Sequence, residues 1–396
     1  MSSRLTPCRL STPALICSLG SDLASISSAL FSGTRGFTHD DGFTPGRPLP
    51  LGRVLADLPD TASWPAEHRS RNNQLLAAAL EQLQPELEAF RLRQPQARIG
   101  VILGTSTSGI GETEIALRQR LQDQSWPTDF RYQRHEIGSP ARFVAEWLQL
   151  PDAPAYTLST ACTSSARALA SAYRMLAAGL CDAVIAGGAD SLCGLTVNGF
   201  SSLQALSDEP CQPFTRDRDG INLGEAAALF LVTKETGGIQ LAGYGETSDA
   251  YHISAPHPGG EGAIGAMQAA LHMAQVPAAE IDYLNLHGTA TRQNDAMEAL
   301  AVDQVFGGAL PCSSTKALTG HTLGACGALE AGFCWLSLHA GKLPPQVHDG
   351  PIDAEIPLLT YVGAAGAEPA RRYHRAMSNS FAFGGNNIAL LLERCE

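Results

Sequence analysis

Charge is scarce in this chain, and positive charge is scarcest: charged side chains make up 17% of the 396 residues, and the formal net charge is −12. Nucleic acid and anionic membranes both bind through basic surfaces, so neither is expected as the main partner. Long apolar runs are missing too. The richest region, Ala168–Leu192, is interrupted by Arg174 and Asp182, short of the ~20 apolar residues that a membrane span requires. The ten cysteines include no CxxC pair and keep no regular spacing, which excludes the disulfide scaffold of a small secreted domain. A short apolar stretch around Ala14–Leu19 is cut off by Gly20, Ser21 and Asp22 before it could act as a secretory leader. The expectation is a cytoplasmic protein with reduced thiols. Low-complexity tracts and long linkers are absent.

Hydrophobic residues make up 44% of the chain and glycine takes 39 positions, enough for a large core with tight turns. The length suits two fused halves or one large α/β unit. The Pro- and Gly-rich stretch Gly42–Gly52 reads as a surface loop before a helix at about Asn72–Arg91. Ile99–Gly104 is a β-branched run ending in Gly, hence a buried strand, and the loop Leu103–Gly111 lies where α/β proteins place ligand contacts. Two later units then repeat one order of apolar strand, small polar turn and small-residue helix. Ala155–Leu158 leads through Ser159 and Thr160 into a helix from about Cys162 to Ala178, closed by Gly179. Leu310–Ser313 leads through Thr315–Leu323 into Gly324–Ala340, closed by Gly341. Small residues on several faces predict that both helices are buried. Between them Ala183–Ala186 forms a short strand ending in Gly187-Gly188. The pattern suggests a pseudo-duplicated α/β architecture.

Cys162 stands in Ser159-Thr160-Ala161-Cys162-Thr163-Ser164-Ser165, where a strand should turn into a buried helix. A thiol at a helix N-terminus meets the positive end of the macrodipole, which favours thiolate, and the turn offers N–H donors for an oxyanion. The structural alternative is one more buried cysteine among ten. His287 follows an apolar run in Leu284-Asn285-Leu286-His287-Gly288-Thr289-Ala290-Thr291, and His321 ends Ser313-Ser314-Thr315-Lys316-Ala317-Leu318-Thr319-Gly320-His321. A single His in such a loop is most often structural. Two, together with a cysteine at an equivalent place, point to a Cys-His-His site. Lys316 is a charge in an otherwise uncharged stretch, and Glu330 on the following helix is its natural partner. The Gly384-Gly385 pair before the strand Ile388–Leu392 permits close backbone approach; it lacks the Lys, the Ser/Thr and the helix of a phosphate-binding P-loop. His252 and His257 have no Cys or carboxylate beside them at ligand spacing, so no metal site is expected.

From Arg98 onward these ordered segments resemble the elongating β-ketoacyl-[acyl carrier protein] synthases of the thiolase superfamily. The likeness covers Thr160-Ala161-Cys162-Thr163-Ser164, Pro213-Phe214-Thr215-Arg216-Asp217-Arg218-Asp219-Gly220 with Gly224-Glu225, and Ser248-Asp249-Ala250-Tyr251-His252. It continues through the two histidine segments to Phe383-Gly384-Gly385. It implies a thiolase-like, pseudo-duplicated αβαβα layered fold, with halves at 1–240 and 241–396. It also implies that Cys162 takes an acyl group from the phosphopantetheine of an acyl carrier protein and is then attacked by the enolate from a malonyl-carrier thioester. His287 and His321 would stabilise the enolate, with Lys316 and Glu330 tuning the site. The N–H groups of Cys162 and Phe383 would form the oxyanion hole, Phe383 would gate it, and Thr289 and Thr291 would bind the pantetheine arm. No cofactor is implied beyond that arm. Arg69 and Arg71, in the poorly matched first hundred residues, are candidates for carrier docking. Ala382 and Asn386 stand where the family usually has Gly and Thr, which hints at a specialised polyene or polyketide pathway rather than main fatty-acid elongation. The superfamily pairs across a central strand, so a homodimer, or a heterodimer with a related ketosynthase-like subunit, is expected. The rival readings are a Cys-His acyl-thioester hydrolase and a structural, chain-length-setting subunit of a ketosynthase pair.

Overall fold

The structure, a computed structural model, describes residues 7–363 and 372–395. Its strands in chain order are β1 Cys8–Leu10, β2 Ala14–Cys17, β3 Thr38–Asp40, β4 Leu49–Leu51, β5 Ile99–Gly104, β6 Ala155–Leu158, β7 Ala183–Asp190, β8 Ala226–Thr233, β9 Gly238–Ser248, β10 Tyr283–Asn285, β11 Pro311–Ser313, β12 Thr360–Tyr361, β13 Arg375–Phe381 and β14 Asn386–Cys395. The helices are α1 Leu23–Ser32, α2 Arg71–Arg93, α3 Ile110–Asp123, α4 Ser139–Trp147, α5 Ser164–Ala177, α6 Gly194–Ser202, α7 Glu261–Ala274, α8 Arg292–Phe306, α9 Lys316–Thr319 and α10 Cys326–Ala340.

Neighbouring strands run β12-β11-β10-β13-β14-β9-β1-β8-β7-β5-β6, and β2 also pairs with β8. β1 and β2 act as one strand along β8, interrupted at Ser11–Pro13, where Ser11 still exchanges hydrogen bonds with Leu231. Counting that pair as one strand, the first half reads third-second-fourth-fifth-first across the sheet, and β11-β10-β13-β14-β9 repeats the order in the second half. In each half the last strand is antiparallel to its neighbours and the inner ones are parallel.

Both halves close on the same two helices. α5 packs on β5 and β7, α10 packs on β13 and β14 while also touching β7 and β8, and the two helices lie against each other. α2 and α4 cover the outer face of the first half, and α7 with α8 covers that of the second. Five layers result, αβαβα, with a mainly apolar interior around α5 and α10 that also buries Glu330. Small residues make the contact possible. A Cβ on Gly104 would sit 2.3 Å from the Ser165 backbone nitrogen, and one on Gly327 would sit 2.6 Å from the Ala166 Cβ. Neither distance is tolerable for a real Cβ, so glycine lets the first turns of α5 and α10 approach strand and helix this closely.

Four local expectations need correction. The helix after β6 begins at Ser164, so Cys162 lies in the turn before it rather than at its first residue. β6 has only β5 as a neighbour and leaves Ala155 and Tyr156 exposed on the sheet edge. β7 runs on through Gly187-Gly188 to Asp190, because both glycines keep their ladder positions against β8. The stretch Gly42–Gly52 is not wholly a surface loop: β4 pairs with β3, and Leu49 and Leu51 are buried against Leu192, Val197 and Leu223. Among the described residues no helix is long and apolar enough to cross a membrane.

Candidate active site

The nucleophile candidate sits in a turn fixed by its own polar neighbours. Ala161 takes a left-handed φ of 53°, a conformation that a non-glycine residue adopts only when its surroundings impose it. Ser164 Oγ accepts from the Thr160 N–H and donates to the Ala161 carbonyl, and Thr163 Oγ1 donates to the Thr160 carbonyl. Cys326 Sγ donates to the Cys162 carbonyl at 3.2 Å. Cys162 is thereby held almost fully buried, with its Sγ 3.0 Å from His321 Nε2.

Burial dominates the charge state of this thiol. It pushes the pKa up to about 12, against the opposing pull of Lys316 and of the Cys162 and Phe383 N–H groups that face the sulfur. The helix start therefore does not yield a resting thiolate, contrary to the sequence expectation, because desolvation outweighs these favourable contacts. Those two N–H groups, from residues 221 positions apart in the sequence, both face the Cys162 sulfur.

The two histidines differ in what fixes them. His287 Nδ1 lies 3.4 Å from Lys316 Nζ. An ammonium only donates, so Nδ1 accepts and the ring proton sits on Nε2. Its backbone is pinned by Glu298, whose carboxylate accepts from the N–H groups of His287 and Gly288 at 2.8 and 2.7 Å. His321 Nδ1 is buried without a partner among the described residues, while its Nε2 faces the Cys162 thiol. Its backbone is held instead: its N–H donates to the Asn222 carbonyl, and its own carbonyl accepts from Gly224. The rings meet edge to face, 5.4 Å between centroids. Burial, then Lys316, keeps both histidines well below the usual imidazole range and therefore neutral.

Behind them Lys316 Nζ donates to Glu330 Oε1 at 2.5 Å, both groups buried. Burial pulls Lys316 down, but Glu330, Cys326 and Glu298 together more than offset it. Glu330 itself is pushed up to about 7 by burial, which Lys316 reverses only in part. With its pKa raised and a 2.5 Å contact to the Glu330 carboxyl, Lys316 is held as the ammonium. Cys162, His287 and His321 bring donor atoms within 4.8 Å of one another, as do His287, Cys326 and Glu330. Lys316 makes either set a poor metal site, because it leaves His287 presenting an N–H rather than a lone pair.

A cavity of about 420 Å³ opens from solvent onto Cys162, His287 and His321. One wall is apolar, with Phe200, Ile221, Phe381 and Phe383; Thr289, Thr291 and Arg292 stand on the other. The Thr289 and Thr291 hydroxyls are 3.0 Å apart. The Phe383 ring lies 5.6 Å from Phe200 in a loop whose Gly384 and Gly385 need φ of 84° and 75°. Gly384 N–H donates to the Ile253 carbonyl, and Asp249 N–H to the Gly385 carbonyl. Asp249 Oδ1 accepts from Asn387 Nδ2 at 2.7 Å, and Oδ2 from the His257 N–H. Ala382 lines the cavity beside Phe383.

Some expected residues do other work. Arg71 forms an ion pair with the fully buried Glu225 and donates to the Val54 carbonyl; Arg69 donates to the Trp64 and Ala62 carbonyls. Both guanidinium groups are engaged within their own chain, which accounts for them without a carrier. His252 accepts N–H groups of its own turn through Nδ1. Other residues near the site carried no weight in the sequence. Asp190 Oδ1 accepts from the Thr105 and Thr107 hydroxyls and from the Ser106 and Thr107 N–H groups, while Oδ2 accepts from Gly324 N–H. Asp295 and Glu298, three residues apart on one face of α8, both turn inward. An acid ending the apolar run of β7, and an i, i+3 acid pair just after the His287 loop, were the available signals.

The chain matches the family description "Beta-ketoacyl synthase, N-terminal domain" over residues 65–237 and "Beta-ketoacyl synthase, C-terminal domain" over residues 239–349. It is similar to 3-oxoacyl-[acyl-carrier-protein] synthase 2 of Staphylococcus aureus (strain COL), 34% identical over 316 residues and 76% of each chain. The enzyme of the same name from Rhizobium meliloti (strain 1021) is 38% identical over 262 residues, and the match spans 61% of each chain. Among solved structures, a complex of a ketosynthase with its chain length factor from Xenorhabdus doucetiae includes a chain 44% identical to this one, with a TM-score of 0.94 and full coverage of both. A β-ketoacyl synthase from Burkholderia phymatum STM815 is 28% identical, with a TM-score of 0.87, and covers 99% of this chain and 100% of its own.

Proposed function

We propose, from the premise that this chain belongs to the β-ketoacyl synthase family, that Cys162 carries the growing acyl group of a decarboxylative condensation with a malonyl-carrier thioester. The single observation that supports this best is the convergence on one sulfur of two N–H donors and His321, with a second histidine locked as a donor beside them.

In the first half-reaction the acyl thioester enters along the cavity, with its arm against Thr289 and Thr291. Cys162 Sγ passes its proton to His321 Nε2 as it attacks the acyl carbonyl carbon. The developing oxyanion sits between the Cys162 and Phe383 N–H groups. Collapse breaks the incoming C–S bond, and the departing pantetheine thiolate takes the proton back from His321. In the second half-reaction the malonyl carboxylate leaves as CO₂ and its bond pair becomes the enolate. His287 Nε2–H donates to the enolate oxygen. His321 takes up a solvent proton at Nε2 as the enolate charge develops and donates to the same oxygen, and this proton later passes to the Cys162 thiolate. The enolate carbon forms the new C–C bond to the Cys162 acyl carbon, and the C–S bond breaks. The released thiolate takes up the one proton that the overall reaction consumes.

A Cys-His hydrolase gives no task to His287 or to the Lys316–Glu330 pair. The chain needs no cofactor of its own in this scheme, because the pantetheine arm arrives on the acyl carrier protein. We divide the halves at 240/241, just inside the start of β9, and read the protein as cytoplasmic. The exposed edge of β6 offers a strand for pairing with a second subunit. The full-length likeness to a chain of a ketosynthase–chain length factor complex favours a heterodimer, in which this chain, retaining Cys162, is the active half in a specialised polyene or polyketide pathway. Intact-mass analysis after incubation with acyl-carrier protein tests the reading: an acyl adduct on Cys162 that malonyl-carrier protein then discharges is expected. Release of free acid instead would refute it.

A further inference from the structure

Asn222 is buried just after Gly220 and Ile221, which line the cavity, and does not line it itself. Its amide serves a single loop. Oδ1 accepts from the Cys211 N–H at 2.6 Å, and Nδ2 donates to the Ser207 and Glu209 carbonyls at 3.2 and 3.1 Å. These partners fix which end is oxygen, since an N–H needs an acceptor and two carbonyls need a donor. Three backbone groups of the 207–211 loop thus depend on one side chain. The main chain of the same residue reaches the catalytic cluster: the Asn222 carbonyl accepts from the His321 N–H at 2.7 Å, and Gly224 N–H donates to the His321 carbonyl at 3.0 Å. The loop returns to that cluster by a second route. Cys211, also buried, donates through Sγ to the Lys316 carbonyl at 3.4 Å. Burial pushes this thiol up to about 12, so it stays a neutral donor.

We propose that Asn222 is a positioning residue of the condensation, whose amide ties the backbones of His321 and Lys316 to one folded loop. The proposal rests on the ketosynthase reading, in which His321 exchanges a proton in both half-reactions and Lys316 fixes the donor state of His287. A hydrogen bond to the Asn222 carbonyl steadies His321 only as well as residue 222 is itself held. Its side chain supplies that hold. An apolar residue of similar size would fill the space but leave the Cys211 N–H and two carbonyls unpaired, a cost that drives such groups towards water. Asp208 and Glu209 are exposed, so the loop can relieve that cost by shifting outward, and it would carry Cys211 and the backbone of residue 222 with it. Residues 207–211 do not line the cavity. The consequence is therefore lost alignment of reacting groups rather than weaker binding.

Asn222→Leu keeps the bulk and removes all three bonds. Single-turnover acylation of Cys162, followed by intact mass, and malonyl decarboxylation, followed by CO₂ release, should fall together by about tenfold or more, because His321 acts in both. KM for either thioester should stay within about twofold of the wild type, since no ground-state contact is lost. Cys211→Ala leaves the Asn222 amide its backbone partners and cuts only the route to Lys316. It should slow CO₂ release by about two- to fivefold, the worth of a weak S–H donor, and acylation by less. A raised KM with unchanged turnover, or unchanged rates in both half-reactions, would overturn the proposal and leave the ketosynthase reading intact. If Asn222→Leu does not fold, Cys211→Ala decides alone: equal losses in the two half-reactions, or none, would overturn it. A wild-type Cys162 that acyl-carrier protein leaves unmodified would overturn both readings.

Discussion

Lys316 is the residue whose removal should separate the two half-reactions. In Lys316→Ala the donor to His287 Nδ1 disappears and the buried Glu330 loses its counter-ion. The stability cost is bounded by a property of Glu330 already visible in the intact protein: burial pushes its pKa up to about 7. Without Lys316 it takes up a proton at neutral pH instead of remaining a bare buried charge. The loss should therefore fall below the ~3–5 kcal/mol usual for breaking a buried pair, at about 1–3 kcal/mol. The chemical cost falls elsewhere. With Nδ1 no longer held as an acceptor, His287 redistributes its proton between the two nitrogens, and the enolate loses a preorganised donor. Loss of one such donor costs about 100- to 1,000-fold. The nucleophile feels less, since Lys316 is only an opposing term on a thiol whose state is set by burial. Single-turnover acylation of Cys162, followed by intact mass, should fall only a few-fold, and malonyl decarboxylation, followed by CO₂ release, by about 100-fold or more. Equal losses in both steps, or unimpaired decarboxylation, would refute the assignment of His287 as a donor fixed by Lys316.

Cys162→Ala should abolish condensation while leaving some malonyl decarboxylation, because both histidines remain; product analysis by mass spectrometry checks both, and any condensed product would exclude Cys162 as the nucleophile. With a thiol pushed up to about 12, alkylation of Cys162 by iodoacetamide should accelerate about tenfold per pH unit through the neutral range without a plateau; peptide mapping distinguishes it, and a plateau near neutrality would show a resting thiolate. Stability should fall as pH rises from about 6.5 to 8. Glu298 and Glu330, both raised to about 7 by burial, are protonated in the fold and ionised in the unfolded chain, so each contributes stability at low pH that is lost on crossing 7. At pH 6.5 His287 and His321 are neutral in the fold and half protonated in the unfolded chain, so they offset part of this loss until about pH 7.5, and a melting temperature that is flat or rising across the window would refute it. Asp190→Ala strands five donors, four of them from the 105–107 loop, and should destabilise the fold by about 3 kcal/mol or more, measured by denaturant unfolding.

The chemistry-bearing residues were legible because each stands in a short local signal: Cys162 between strand and helix, His287 after an apolar run, Lys316 as an isolated charge. The pseudo-duplication was legible from the repeated strand–turn–helix order and the small residues of α5 and α10, and the layering from the family resemblance. What escaped depends on contacts far apart in sequence. Arg71 read as a docking candidate, yet its partner is the buried Glu225, 154 positions away just before β8. Asp190 looked like the end of a strand, yet it joins the loop after β5 to the turn that follows His321. The sign of the Cys162 shift escaped for a different reason. A helix start is a local feature and favours thiolate, whereas burial is a sum over the whole fold and here exceeds it.

That sum has a mechanistic consequence. A thiol kept neutral by burial cannot react until something accepts its proton, and His321 Nε2 at 3.0 Å is placed to do so. The later enolate instead needs donors. One histidine must therefore change its role between the half-reactions while the other must not. The protein meets this by giving His287 a fixed ammonium partner at Nδ1 and leaving His321 Nδ1 without one, while Asn222 and Gly224 hold the His321 backbone still. With its backbone fixed and Nδ1 uncommitted among the described residues, His321 can gain and lose a proton at Nε2 in place. On this argument, supplying His321 Nδ1 with a new hydrogen-bond partner would slow one half-reaction and spare the other, according to whether that partner donates or accepts.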